Sequence, residues 1–141
     1  MSLEKVLYQA HAKVSGGREG RGATSDQALD VKLSTPKEMG GAGGSGTNPE
    51  QLFAVGYAAC FLGAMKVAAG KQGTKLPDDT TIDSTVGFGK SGGGFGIEVD
   101  LKATIPGMDK GQAEEIIHAA HQICPYSNAT RNNIDVRLSV A

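Results

Sequence analysis

Cysteine is the residue whose placement in this chain asks for chemistry, and there are two of them. Cys60 lies inside "VGYAACFLGAM", Val55 to Met65, a stretch apolar on nearly every side, and Cys124 lies directly before a proline in "AHQICPYSNATR". A thiolate is a nucleophile, a metal ligand and a redox centre, whereas a neutral buried thiol is only a small apolar side chain. By position alone Cys60 reads as packing. Cys124 has the easier route to reactivity. If Pro125 opens a short helix, that sulfur sits at a helix start, where the peptide dipoles favour the anion. Metal binding is the other use of such groups. His118, His121 and Cys124 are ligand types, but their spacing is no two-pair zinc pattern, so no metal is expected. Ser127 lacks a G-x-S-x-G elbow, which leaves a hydrolase triad without support.

These side chains need elements to hold them. Val6, Tyr8, Ala10, Ala12 and Val14 alternate with polar residues and predict a strand; Leu29, Val31 and Leu33 predict another. Ser15 to Gly22 reads as a turn or flexible loop, and Thr35 to Gly46 as a glycine-rich loop. Thr47 and Glu50 have capping-box spacing and Pro49 suits a first turn, so a helix should run from there to about Gly70. Its apolar residues go all round, which predicts burial on most sides. Ile82 to Gly89 and Phe95 to Ile105 predict a hairpin joined by "KSGGG". Asp109 can cap a helix through about Ile123, which Pro125 should end at Cys124. A short helix from Pro125 through Arg131 and a last strand, Ile134 to Val140, complete the chain. Strands and helices in segregated runs predict an α+β fold.

A chain of 141 residues predicts a single domain, 1–141, with a core that needs no disulfide or metal staple. The net charge is −1 and there is no tryptophan and no basic stripe, so no nucleic acid partner is expected. "MSLEKVLYQAHAKV" carries charge where a secretory leader would be apolar, and the longest apolar stretch, Leu52 to Met65, is too short to span a bilayer. No membrane association is expected, and a cytoplasmic setting is. Two cysteines there read as free, catalytic or metal-bound thiols. Gly41 to Gly46 satisfies G-x-G-x-x-G, but it leads into a helix and then a hairpin, with no βαβ unit, so no nucleotide cofactor is expected.

"NPEQLFAVGYAACF" from Asn48 and "CPYSNATRNNIDV" from Cys124 resemble the paired signatures of the organic hydroperoxide resistance proteins, within the osmotically inducible protein C superfamily. "GGREGR" and the glycine run before "TNPEQL" match as well, so the resemblance covers nearly the whole chain. It implies antiparallel strands wrapped around a long buried central helix, in an intertwined homodimer. It implies a cytoplasmic thiol peroxidase for alkyl and lipid hydroperoxides, with a dithiol reductant such as a dihydrolipoyl protein and no cofactor. It implies that Cys60 is the peroxidatic thiol, that Cys124 resolves it as a Cys60–Cys124 disulfide, and that Arg18 and Glu50 support the site. A redox sensor and a non-catalytic carrier of apolar ligands are the rival uses of the same features.

The residues fit that chemistry. An ordinary thiol is only a few per cent ionised near neutrality, and burial in an apolar helix disfavours the anion further. A guanidinium reverses this and can also meet the departing alkoxide. Arg18 is the choice the resemblance implies; Arg21 and Arg131 compete with it. Glu50 would orient the arginine, or serve the helix cap. Phe53, Phe61, Met65, Ile123 and Tyr126 could line an alkyl slot or be core. Glu50 and Cys60 lie ten residues apart on the predicted helix, about 15 Å along it and about 80° around it. Either the helix bends or is broken between them, at Gly56 for instance, or Glu50 and its arginine act from a second chain.

Overall fold

Gly16 and Gly17 take positive φ, and that pair of left-handed residues turns the chain from β1 (Ala12–Ser15) through one 3-10 turn, Gly17–Glu19, into β2 (Arg21–Thr24). The computed structural model describes residues 1–141, and its chain divides into two units, Met1–Pro49 and Glu50–Ala141. In the first unit β1, β2 and β3 (Asp30–Lys32) form an antiparallel sheet with β2 in the centre. The expected turn is therefore shorter than Ser15 to Gly22, because Arg21 and Gly22 already pair. The expected first strand is shorter too. Pairing ends at Ala12 with Thr24, so Val6, Tyr8 and Ala10 alternate without a partner strand in the ladder. The loop 41–46 is tied down: Gly43 N–H donates to the Thr35 carbonyl at 3.0 Å and Gly46 N–H to Ser34 Oγ at 2.9 Å. A side chain at Gly46 would collide with the backbone of Leu33 and Ser34, so glycine is required for this fold-back.

The second unit is built on β4 (Thr81–Ser91), β5 (Gly94–Thr104) and β6 (Val136–Val140), in that order across one sheet. A two-residue turn at Gly92-Gly93 joins β4 to β5, with Gly92 at φ 57°. Val99, Leu101 and Ala103 alternate on one face of β5 and are buried. They sit in rows with Val86, Ser84 and Ile82 of β4 and with Val136, Leu138 and Val140 of β6. The antiparallel pairing that the resemblance implies holds for β4 with β5, while β5 and β6 run parallel. The cause is the connection. Helix α2 (Lys110–Ile123) and the short α3 (Pro125–Thr130) carry the chain back, so β6 starts level with the middle of β5 and runs the same way.

Helix α1 (Pro49–Lys71) is unbroken over 23 residues, and Gly56 does not interrupt it. By length and composition it would suffice to cross a bilayer. Tyr57, Phe61, Ala64, Met65, Ala68 and Ala69 recur at helical spacing and are buried in a cluster with β5 and with Ala113, Ile116, Ile117 and Ala120 of α2. The expectation of burial on most sides is met in part: this chain buries that stripe fully and Phe53, Cys60 and Leu62 beside it by half, while Val55 and Val67 remain 71% and 52% exposed.

Candidate active site

Cys124 is where two helices meet. Its N–H donates to the Ala120 carbonyl and closes α2, while its carbonyl accepts from Asn128 N–H and opens α3, both at 2.9 Å. Pro125 forces the residue between them to be extended, and Cys124 has φ −66° and ψ 124°. Asp109 caps the other end of α2 by accepting from Gln112 N–H, as its position before the helix predicts. Cys124 is fully buried, whereas Cys60 on α1 is half-buried. This reverses the expected order, in which Cys60 was the hidden sulfur.

Both thiols are free, and the Cys124 Sγ–H donates to Cys60 Sγ at 3.6 Å. Burial pushes the Cys60 thiol up, and a second sulfur so close adds to this because both cannot be charged together. The backbone N–H of Tyr126, in the first turn of α3, bonds to the Cys60 sulfur and acts in the opposite direction. The pair can therefore exchange one proton and be joined by loss of two electrons.

An aromatic cluster stands on the helix that carries Cys60. Tyr126 packs on Phe53 and Tyr57, with ring centres 5.7 and 5.6 Å apart, and Phe53 meets Tyr57 edge-on at 5.9 Å. Gly56 is the seat for this arrangement. A Cβ there would lie 2.8 Å from Tyr126 Oη, so the glycine brings the phenol down onto α1 one turn before Cys60.

Below the thiols lies a buried polar cluster that sequence reasoning missed. Ser127 Oγ meets Tyr57 Oη and His121 Nδ1, each at 2.8 Å, and Tyr57 Oη reaches Thr130 Oγ1 at 3.1 Å. The one available signal was a tyrosine in the middle of an apolar helix, whose hydroxyl must find a partner when buried. Burial, then the charge of Arg131 and the neighbouring His118, hold the His121 imidazole below its ordinary range. No group of three or more His, Cys, Asp or Glu side chains is arranged to hold a metal ion.

Residues 41–139 match the model of the OsmC-like protein family. An organic hydroperoxide resistance protein of Xanthomonas axonopodis pv. citri is 64% identical over 140 residues, 99% of each chain. Among solved structures, an organic hydroperoxide resistance protein from Legionella pneumophila is 46% identical with a TM-score of 0.91, over 97% of this chain and 99% of that one. The organic hydroperoxide resistance protein OhrB of Bacillus subtilis is 42% identical with a TM-score of 0.89, over 96% and 100%.

The chain belongs to the OsmC-like family, with the organic hydroperoxide resistance proteins. Of the other residues that the family resemblance singles out, Arg18 is half-buried on the 3-10 turn of the first unit, behind Gly16 and Gly17. Glu50 is half-buried in the first turn of α1. Arg18's two competitors are engaged elsewhere. Arg21 grips Asp30 through both carboxylate oxygens, with Nε to Oδ1 at 2.7 Å. Arg131 Nη2 donates to the His121 carbonyl and, at 2.9 Å, to Asn128 Oδ1. Of the five apolar candidates, Phe61 and Met65 are closed inside the core of the second unit. Phe53 is half-buried, and Ile123 and Tyr126 are each 37% exposed.

Proposed function

We propose that this chain detoxifies organic hydroperoxides as a thiol peroxidase, reducing them to alcohols. The observation that carries this is the pair of free thiols, Cys60 and Cys124, with sulfurs 3.6 Å apart and only Cys60 open to solvent. The accessible thiol meets the peroxide. Cys60, as thiolate, attacks the terminal peroxide oxygen; the O–O bond breaks, sulfur is oxidised to a sulfenic acid, and the leaving alkoxide takes a proton to become the alcohol. Cys124 then displaces hydroxide from that sulfur, which departs as water with the thiol proton. A dithiol, such as a dihydrolipoyl group on a protein, reduces the resulting disulfide and resets the site. No cofactor is needed, since the electrons pass between sulfur and oxygen.

The neutral form favoured by burial of Cys60 has to be overcome. Arg18 supplies the charge, holding thiolate and alkoxide, and Glu50 orients the guanidinium. The ring cluster of Phe53 and Tyr126 beside Cys60 suits an alkyl or lipid chain better than hydrogen peroxide. The working unit is a homodimer in the cytoplasm, with Arg18 and Glu50 acting on the Cys60 of the other copy. The exposed apolar face of α1 at Val55 and Val67 supports a second chain there. The relatives' shared name, organic hydroperoxide resistance protein, supports the substrate class.

The test is peroxide consumption with dihydrolipoamide, comparing cumene hydroperoxide with hydrogen peroxide. Repeated turnover with a clear preference for the organic substrate is expected. Consumption that stops at one equivalent with the dithiol present, or a preference for hydrogen peroxide, would overturn the proposal.

A further inference from the structure

Ser127 and Tyr57 are fully buried, and neither takes part in the steps above. Their contacts have a defined direction. Thr130 Oγ1 donates to the Ser127 carbonyl at 3.3 Å, so its oxygen must accept from the Tyr57 hydroxyl. Tyr57 Oη in turn accepts from Ser127 Oγ–H, and Ser127 Oγ accepts from His121 Nδ1–H. This assignment uses each hydroxyl hydrogen once and leaves no contact unpaired. It fixes the imidazole proton on Nδ1.

The placement along the chain is what matters. Tyr57 stands three residues before Cys60 on α1, His121 three before Cys124 on α2, and Ser127 three after it on α3. One hydroxyl therefore joins the helix of one thiol to both helices that meet at the other. The joint at Cys124 is a single extended residue, where a small angular change swings the sulfur. The His121–Ser127 bond closes that joint, and Tyr57 ties it to α1.

We infer that Ser127, with Tyr57 and His121, is a positioning residue for disulfide closure, holding Cys124 Sγ in range of the oxidised Cys60; this rests on the peroxidase reading. In closure the S–S bond forms as the S–O bond of the sulfenic acid breaks, and the Cys124 thiol proton leaves with hydroxide as water. The sulfurs must approach from 3.6 Å to about 2.05 Å. A sulfenic acid left waiting meets a second peroxide and becomes sulfinic acid. The clamp thus decides between a reversible and a dead product.

Ser127→Ala and Tyr57→Phe are compared with wild type by stopped flow with an organic hydroperoxide and by intact mass after a peroxide pulse. In Ser127→Ala, sulfenic acid formation should stay within about threefold of wild type while closure slows by about tenfold or more. Sulfinic Cys60 should then dominate at peroxide levels where wild type closes. Nitrogen NMR should show His121 losing its fixed Nδ1–H form. Tyr57→Phe keeps the His121–Ser127 bond and should fall between. Closure within about twofold of wild type in Ser127→Ala would overturn the inference, as would equal slowing of both steps. Where Ser127→Ala does not fold, the same outcomes in Tyr57→Phe decide. A wild-type protein that never forms the disulfide fails before any variant is made, and takes the peroxidase reading and this inference down together.

Discussion

If Arg18 and Glu50 act from the second chain, then two inactive variants should repair each other. The reason is the geometry of α1. It runs unbroken from Pro49 to Lys71, so Glu50 and Cys60 are separated by about 15 Å along the axis and about 80° around it. The alternative that Gly56 breaks the helix is removed, because that glycine seats Tyr126 within a continuous helix. If α1 is also straight, an arginine held by Glu50 cannot touch Cys60 of the same helix, since a guanidinium spans only a few ångströms. Two antiparallel copies of α1 would bring the first turn of one beside the middle of the other. Cys60→Ser keeps a working Arg18 and Arg18→Ala keeps a working Cys60. In a heterodimer the one intact Cys60 faces the one intact Arg18. Random mixing gives about half heterodimers, each with one site of two, so about a quarter of wild-type turnover should return. The assay is organic hydroperoxide consumption after the two variants are unfolded together and refolded, with tags of different mass to count heterodimers. Heterodimers that form and show no activity above the parents would refute the trans arrangement and return Arg18 and Glu50 to the chain that carries the thiol.

Three further outcomes are expected. Cys60→Ser should abolish turnover, while Cys124→Ser should consume one equivalent of peroxide and then carry sulfinic Cys60, read as added oxygen by intact mass; oxygens found on Cys124 instead would reverse the roles. Arg18→Ala should slow peroxide reduction at pH 7 by tenfold or more, about 1.4 kcal/mol of barrier, with Arg18→Lys recovering only part. Because the thiolate reacts and burial holds the Cys60 thiol up, the rate rises with pH, and in Arg18→Ala that rise should move to higher pH in stopped flow. Ser84 Oγ is buried in β4 without a partner, in a row with Leu101 and Leu138, so Ser84→Val should be neutral or stabilising by up to about 1 kcal/mol in thermal denaturation; a loss of that size would mean the hydroxyl is paired.

Punctuation made most of the fold legible. Asp109, Pro125 and Gly92-Gly93 each fix a boundary through local chemistry, and the elements they bound appear where expected. Pairing direction was not legible, since alternation in Val136 to Val140 is the same for a parallel or an antiparallel neighbour. Nor was strand length at the N-terminus, because the alternation at Val6 and Tyr8 says nothing of whether a ladder partner exists. A helix apolar all round carries no face, so the stripe of α1 that its own chain covers could not be read. Gly56 read as a possible break because the side chain that needs the space, Tyr126, lies far away in sequence.

At the site the helix-start rule located the residue but not the exposure of its sulfur. Cys124 does occupy the start of α3, yet its own sulfur is fully buried. An N–H of the first turn of α3, on Tyr126, favours the Cys60 thiolate instead, and the fold leaves Cys60 half open. A residue before a helix presents its side chain according to its own extended backbone, while the helix's free N–H groups point wherever a neighbouring element stands. Here that neighbour is α1. The sequence places one thiol at the amides and the other in an apolar helix. Tertiary packing leaves the second half open and hides the first, the exposure that the proposed division between an attacking and a resolving thiol requires.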